Sequence, residues 1–352
     1  MQNLVIQGDN LSWLPWLPNE SIDMCYIDPP FCSNKDYQLS DGSIAFSDKF
    51  KNLDEYIEFL RPRVELIYQK LKSTGAIFVH CDSYANYRIR GLLNDVFGMN
   101  KIVNEIYWER SIPANDAKHK FPVVTDTILF FKKRDFVFIP QYTPLDADHI
   151  ARDYKYNDND GKGLYSKGGH LVNAHDSSLG YRYTWKGYSH PAKGWHVPID
   201  TMAKLDKEGL IHYPKKVDGT LDYTKKLRKK CYLANFKGRL ISNLWTSFKN
   251  ITSASKEKAG YPTQKPEKLL DRIIRCSTKE GDVVLDCFAG SFTTAKVAAD
   301  LNRKFISGDL SPVSIQIGVD RLKSNGIEFN LVDRDNYDVA KGKDSDTEGD
   351  RS

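Results

Sequence analysis

The chain has 352 residues, 40% hydrophobic and 28% charged, with 42 aromatic side chains; that supplies a sizeable core, excludes wholesale disorder, and allows about two domains or one core with a large insertion. The net charge of +5 is uneven: residues 141–260 hold 21 Lys and Arg against 12 Asp and Glu, and the rest 30 against 34, so a localised basic face suited to a polyanion is expected, with a merely solvated face as the alternative. No apolar run approaches the ~20 residues of a membrane helix, and the N-terminus MQNLVIQGDN lacks a basic flank and an apolar stretch, so a soluble, cytoplasmic protein without a membrane partner is expected.

In chain order, Leu4–Gln7 reads as a strand ending in Gly8-Asp9, and Ile22–Ile27 as a second ending in Asp28-Pro29-Pro30-Phe31. Leu53, Tyr56, Ile57, Leu60, Val64, Ile67 and Leu71 recur at helical spacing behind an Asn52 cap; Pro62 should kink or split that helix and Gly75 stop it. Ala76–Val79 is a third strand ending in His80-Cys81-Asp82, Tyr84–Phe97 a helix, and Glu105–Trp108 and Thr127–Phe131 two more strands. From 141 to 260 the period fails, and 11 of the 23 glycines and 10 of the 19 tyrosines fall there, the pattern of an inserted, loop-rich β module. Order returns with a helix opened by Pro266, a strand Val283–Asp286, a helix Thr293–Leu301, a strand Lys304–Ser307 and a helix Pro312–Lys323. The tail, 331–352, is almost devoid of apolar residues and is expected to fray. Strand–helix alternation at both ends of the chain predicts one doubly wound, Rossmann-like α/β core, formed by 1–140 and 261–330 and interrupted by the insert.

Two constellations carry chemistry. Asp286-Cys287-Phe288-Ala289-Gly290-Ser291 follows a strand and opens a helix, and Asp309 ends the next strand, where a carboxylate grips ribose hydroxyls. A pyrophosphate needs several glycines for close backbone approach, and Gly290 stands alone, so a phosphate-free nucleoside fits better than a dinucleotide; a plain tight turn is the alternative. Asp28-Pro29-Pro30-Phe31 also ends a strand. Its prolines remove two N–H donors, leaving the Asp28 carboxylate and nearby carbonyls as acceptors beside an aromatic ring, a pocket for the exocyclic amino group of a stacked adenine or cytosine; a surface turn is the alternative. In an open α/β sheet both loops are expected at one switch point. The six cysteines show no CxxC pair and His170, His190, His196 and His212 no ligand spacing, so buried thiols and no metal are expected.

Asp28–Phe31 resembles the [D/N/S]-P-P-[Y/F/W] motif of amino-group DNA methyltransferases, and Asp286–Ser291 their S-adenosylmethionine motif; the order of the two is similar to the β class. Tyr261-Pro-Thr-Gln-Lys-Pro resembles the family's TQKP helix start, and Asn104–Trp108, Asp126–Lys132 and Lys230–Trp245 look like further family blocks, so the resemblance covers about residues 4–323. It implies a site-specific enzyme that transfers a methyl group from S-adenosylmethionine to N6 of a flipped adenine in double-stranded DNA. An Asp at position 28 favours adenine over N4 of cytosine. Asp28, Pro29, Pro30 and Phe31 would form the catalytic pocket, with Asp28 and the Pro29 carbonyl as acceptors and Phe31 as the stacking platform. Asp286, Phe288, Ala289, Gly290 and Ser291 would line the cofactor, Asp309 would hold its ribose, and Asp9, Thr263 and Lys265 would border it. The insert would recognise the target, with Lys225, Lys226, Arg228, Lys229 and Lys230 on DNA phosphates. His80 and Asp82 resemble a family strand-end pair, with a structural cap as the alternative. A homodimer and a cognate restriction endonuclease are the further partners the resemblance admits. One position departs: Phe292 stands where the family has a second glycine, and its side chain either obstructs the cofactor or points into the core. The rival readings are an N4-cytosine enzyme, an RNA or protein methyltransferase, a dinucleotide oxidoreductase, and a DNA-binding protein with an impaired cofactor site.

Overall fold

The computed structural model describes residues 2–39, 42–113, 119–172, 180–252 and 254–332. Strand β1 (Leu4–Gln7) passes through the one-turn helix α1 (Asn10–Trp13) to β2 (Ile22–Ile27), and a hairpin of β3 (Lys35–Gln38) and β4 (Ile44–Asp48) follows. Helix α2 (Leu53–Lys70) leads to the long strand β5 (Leu71–Cys81), α3 (Asn86–Phe97), and the antiparallel pair β6 (Ile102–Glu109) and β7 (Thr125–Lys132). Next come β8 (Tyr142–Thr143), α4 (Ala147–Asp153), β9 (Tyr165–Gly169), α5 (Ile199–Lys207), β10 (Ile211–His212), β11 (Arg228–Tyr232) and β12 (Arg239–Leu240). The chain closes with β13 (Leu244–Trp245), α6 (Glu267–Ser277), β14 (Val283–Asp286), α7 (Thr293–Asp300), β15 (Lys304–Asp309), α8 (Pro312–Ser324) and β16 (Asn330–Val332).

Among the described residues nine strands form one mixed sheet in the order β13-β6-β7-β5-β2-β14-β15-β1-β16. Only the pairings of β7 with its two neighbours are antiparallel. The inner strands β2, β14 and β15 are buried along nearly their whole length, as expected of parallel strands covered on both faces. This α/β sheet is the Rossmann-like architecture expected. Its central feature is adjacency: β2, from the N-terminal arm of the chain, lies parallel to β14, from the C-terminal arm, with Leu285 opposite Cys25. The carboxyl ends of β1, β15, β14 and β2 therefore open side by side.

Helix α2 is started by the Asn52 side chain, which accepts the Glu55 N–H at 2.9 Å, and by Asp54 and Glu55 against the helix dipole. It runs unbroken through Pro62, so the expected split does not occur; burial of Tyr56, Leu60, Val64 and Ile67 along one face outweighs the one hydrogen bond a proline deletes. The helix ends at Lys70, and Gly75 lies inside β5 rather than at its start. A Cβ there would meet the Lys72 and Ile22 carbonyls at 3.0 and 3.2 Å, so the glycine permits close strand approach rather than stopping the helix. Leu331 and Val332, counted in the expected tail, instead end β16 and pair with Val5 and Ile6; residues 333–352 lie outside the described residues.

Two compact units are distinguished: Met1–Gln141 with Ser242–Ser352, and Tyr142–Ile241. The second boundary falls at 241 rather than the expected 260, because β13 pairs with β6 and so ties the following segment to the large sheet. Tyr142–Ile241 has its own core of Leu171, Tyr188, Trp195, Met202, Leu205, Ile211 and Leu227, beside a three-stranded sheet β10-β11-β9. Its glycine content has one clear cause: a Cβ on Gly180 would lie 1.8 Å from the Lys193 carbonyl oxygen, a backbone crossing that no other residue permits.

Candidate active site

A cavity of about 510 Å³ lies at the carboxyl ends of the four adjacent strands. Asp28–Phe31 and Asp286–Ser291 line it, with Asp9, Asp309, Thr263 and Lys265. Every residue assigned from sequence to the catalytic and cofactor sets thus borders one space, of a size that suits a small molecule.

The cofactor-side loop is held by its own acids. Asp286 accepts the Thr294 hydroxyl at 2.5 Å and the Phe288 N–H at 3.1 Å. Asp309 accepts the Gly290 N–H at 2.8 Å through one oxygen and the Ser311 N–H at 2.9 Å through the other. Burial pushes Asp286 up to about 7; the Thr294 and Phe288 bonds oppose that, and the charges of Asp28 and Asp309 add to it. Burial likewise raises Asp309, against the bonds from Ser311, Gly290 and Ser314. Gly290 has φ +51°, and a Cβ there would meet the Tyr261 ring at 3.1 Å, so this turn needs glycine. Phe292 also holds a left-handed conformation, φ +57°, at the start of α7. It is fully buried, packs in the space that Gly318 of α8 leaves open, and does not line the cavity. Of the two outcomes for this position, the core-facing one is observed.

On the catalytic side, Asp28 pairs with Lys265 through Oδ2, while its buried Oδ1 has no hydrogen-bond partner among the described residues. The loop behind it is shaped by Asp48. One oxygen accepts the Cys32 N–H at 2.7 Å, and the other accepts the Ser33 N–H at 3.0 Å and the Ser33 hydroxyl at 2.6 Å. Asn34 donates its N–H to the Asp48 backbone carbonyl at 2.9 Å, and in this loop Cys32 and Asn34 hold φ +60° and +58°. Phe31 stacks on His80, centroids 5.8 Å apart and planes inclined by 22°. The His80 ring is fixed at both nitrogens, by the Tyr26 hydroxyl at 3.0 Å and Asp126 at 3.1 Å, and Asp126 pairs with Arg110 at 2.8 Å. Burial alone would raise Asp126; its bond with His80 and the charges of Arg110 and Lys265 hold it below the usual carboxylate range. His80 is therefore a buried support for Phe31, and Asp82 accepts the N–H groups of Tyr84 and Ala85 in the turn before α3.

Other residues emerge only in three dimensions. Asn10 donates to the Cys287 carbonyl at 3.0 Å, its buried Oδ1 has no partner among the described residues, and Arg63 braces Asp9 at 3.0 Å. Tyr37, Phe46 and Tyr261 form a ladder of near-parallel rings along the wall, centroids 4.7 and 6.2 Å apart. A sequence signal for β3 and β4 exists in two short alternating runs separated by Gly42.

In the unit Tyr142–Ile241, Lys225 and Lys226 are exposed and Arg228 and Lys229 half-buried on or beside β11. Lys230 is committed: its side chain is 10% exposed and pairs with Asp158 at 2.5 Å. Burial, with Lys167 nearby, pushes His212 down to about 4. Among the described residues no cluster of His, Cys, Asp and Glu has metal-binding geometry, no helix is long and apolar enough to cross a membrane, and all six cysteines are free thiols.

A profile of the DNA methylase family, of N6/N4 type, matches residues 22–320. The chain is similar to the type II methyltransferase M.EcaI of Enterobacter cloacae, 29% identical over 82% of this chain and 62% of that protein. It is 27% identical to the type III restriction-modification enzyme StyLTI Mod subunit of Salmonella typhimurium, over 86% of this chain and 50% of that one. The chain thus spans between half and two thirds of these relatives' length. Among solved structures it resembles the PvuII DNA methyltransferase (cytosine-N4-specific), with a TM-score of 0.52 and 18% identity over 93% of this chain and 89% of that one. TTHA0409 of Thermus thermophilus, complexed with S-adenosyl-L-methionine, gives 0.51 and 14% identity over 94% and 98%.

Proposed function

The chain belongs to the N6/N4 DNA methylase family, and from that premise we propose that it methylates N6 of adenine in duplex DNA with S-adenosylmethionine as donor. The observation that carries this reading is the convergence of Asp28–Phe31 and Asp286–Ser291 on one cavity from adjacent parallel strands.

The residues present suit the cofactor. The Asp309 carboxylate lies at the strand end, where a ribose is held, the turn at Gly290 brings backbone close, and the buried Oδ1 of Asn10 offers an acceptor. Bound there, S-adenosylmethionine supplies an electrophilic methyl group on a positively charged sulfur, which the carboxylates around the cavity favour. The target amino group is out of reach in a duplex, so the base is flipped out. Phe31, backed by His80, stacks the base, a contact worth about 1–3 kcal/mol. Asp28 Oδ1 accepts one amino N–H and the Pro29 carbonyl the other, which orients the nitrogen lone pair; Asp28 then lies nearest the proton the nitrogen sheds on methylation. The carboxylate at position 28, on the family resemblance, supports adenine over cytosine.

The unit Tyr142–Ile241, with 18 Lys and Arg against 11 Asp and Glu, is the target-recognition part in this reading. Lys225, Lys226, Arg228 and Lys229 are its phosphate contacts and Lys230 an internal brace. Kinship with a Mod subunit supports a modification role alongside a restriction endonuclease. Asp28→Ala tests the mechanism. Methyl transfer should fall by about 10²–10³-fold or more while S-adenosylmethionine affinity stays within about twofold; near-full activity in the variant overturns the role given to Asp28.

A further inference from the structure

Lys265 entered the sequence reading as a residue bordering the cofactor, yet its ammonium is bonded to Asp28, 237 residues away in the chain. Both side chains are mostly buried, 10% and 19% exposed. Three observations bear on what the pair does. The other carboxylate oxygen, Oδ1, is buried and has no hydrogen-bond partner among the described residues. The ammonium lies 5.4 Å from the centroid of Phe31, so the ion pair and the stacking ring border the same space. The segment that carries Lys265 is braced. Gln264 accepts the Ala259 N–H and donates to the Glu257 carbonyl, both at 2.7 Å, and Glu257 accepts the Glu267 N–H at 2.8 Å. Within that brace Thr263 holds φ +61°, a conformation disfavoured for a β-branched residue and kept only where surroundings impose it.

A free carboxylate can turn either oxygen to a ligand, and an amino group with two N–H donors needs only Oδ1 and the Pro29 carbonyl. We infer that Lys265 is a positioning residue for the acceptor: by occupying Oδ2 it fixes the Asp28 carboxylate with Oδ1 presented to the incoming exocyclic amino group. The charge-assisted bond gives this restraint both strength and direction. The strained, braced loop is then the device that aims the lysine. This inference rests on the amino-pocket reading above.

The test uses the full chain with its cofactor side filled by S-adenosylhomocysteine, and compares the Kd of 9-methyladenine with that of 9-methylpurine, which lacks the amino group. The unaltered chain should prefer 9-methyladenine by about tenfold, the scale of one hydrogen bond to a charged group. Lys265→Met should cut that preference to about twofold while S-adenosylhomocysteine binding changes by less than about twofold. Lys265→Arg, which keeps the charge and donors, should restore most of the preference. Full preference in Lys265→Met overturns the inference, and so does a preference left intact beside a tenfold loss of S-adenosylhomocysteine affinity, which returns Lys265 to the cofactor. Failure of Lys265→Arg to restore the preference, in a folded protein, also counts against it. Asp28→Ala should abolish the preference. If that variant keeps it, or the unaltered chain has none, the amino-pocket reading falls first and the role of Lys265 with it.

Discussion

Asp286 is a carboxyl group with no ion-pair partner among the described residues, enclosed at a strand end and bonded by a hydroxyl and a backbone N–H. Burial raises it to about 7, with Asp28 and Asp309 adding to the effect. Because the folded chain holds this proton more tightly than the unfolded one, stability should fall as pH rises from about 4 and level off above about 7. Denaturant unfolding at pH 5 and pH 8 measures the difference, and Asp286→Asn should flatten it. An unchanged pH dependence in that variant would show that other groups dominate. The residue-level reading of the site was legible where chemistry is local. Asp28–Phe31 and Asp286–Ser291 are contiguous, and their prolines and glycine state their backbone requirements directly. Lys265 against Asp28, Asp48 behind Cys32 and His80 under Phe31 were not legible as partners, because each pair joins segments that only tertiary packing brings together.

Between elements, the contact of α7 with α8 shows how one departure from a family pattern is absorbed. Phe292 keeps the left-handed backbone that a glycine would adopt at the helix start, and its ring takes the space above Gly318. Burying such a ring is worth roughly 1.5–3 kcal/mol, enough to offset a conformational cost of about 1–3 kcal/mol. Gly318→Ala is therefore a sharp test. In an open helix position the change should stabilise by about 1 kcal/mol. Here the added Cβ would lie 2.2 Å from the Phe292 ring, so overpacking should instead destabilise by about 1–3 kcal/mol. A thermal or denaturant melt decides the sign, and a stabilised variant would refute the packing described. Helix and strand identities were readable from period and caps, as Asn52 at α2 illustrates. Pro62 and Gly75 misled because both act through backbone geometry, which neighbouring packing can override or reuse.

For the whole molecule, the organising fact is that two arms of one sheet, far apart in sequence, place β2 beside β14. That arrangement was foreseeable from strand–helix alternation at both ends of the chain. The boundary at Ile241 was not, since the two-residue strand Leu244–Trp245 carries no periodic signal and is defined by its partner β6. If the sheet brings a methyl donor and a flipped amino base into one cavity, the product must be methylated at an exocyclic nitrogen. The most direct measurement incubates the purified chain with S-adenosylmethionine and duplex DNA of mixed sequence, digests to nucleosides, and identifies products by mass spectrometry. N6-methyladenine is the predicted product, absent from an Asp28→Ala control. N4-methylcytosine would preserve the cavity's chemistry and replace the base. No methylated nucleoside, over a broad range of DNA sequences, would contradict the account.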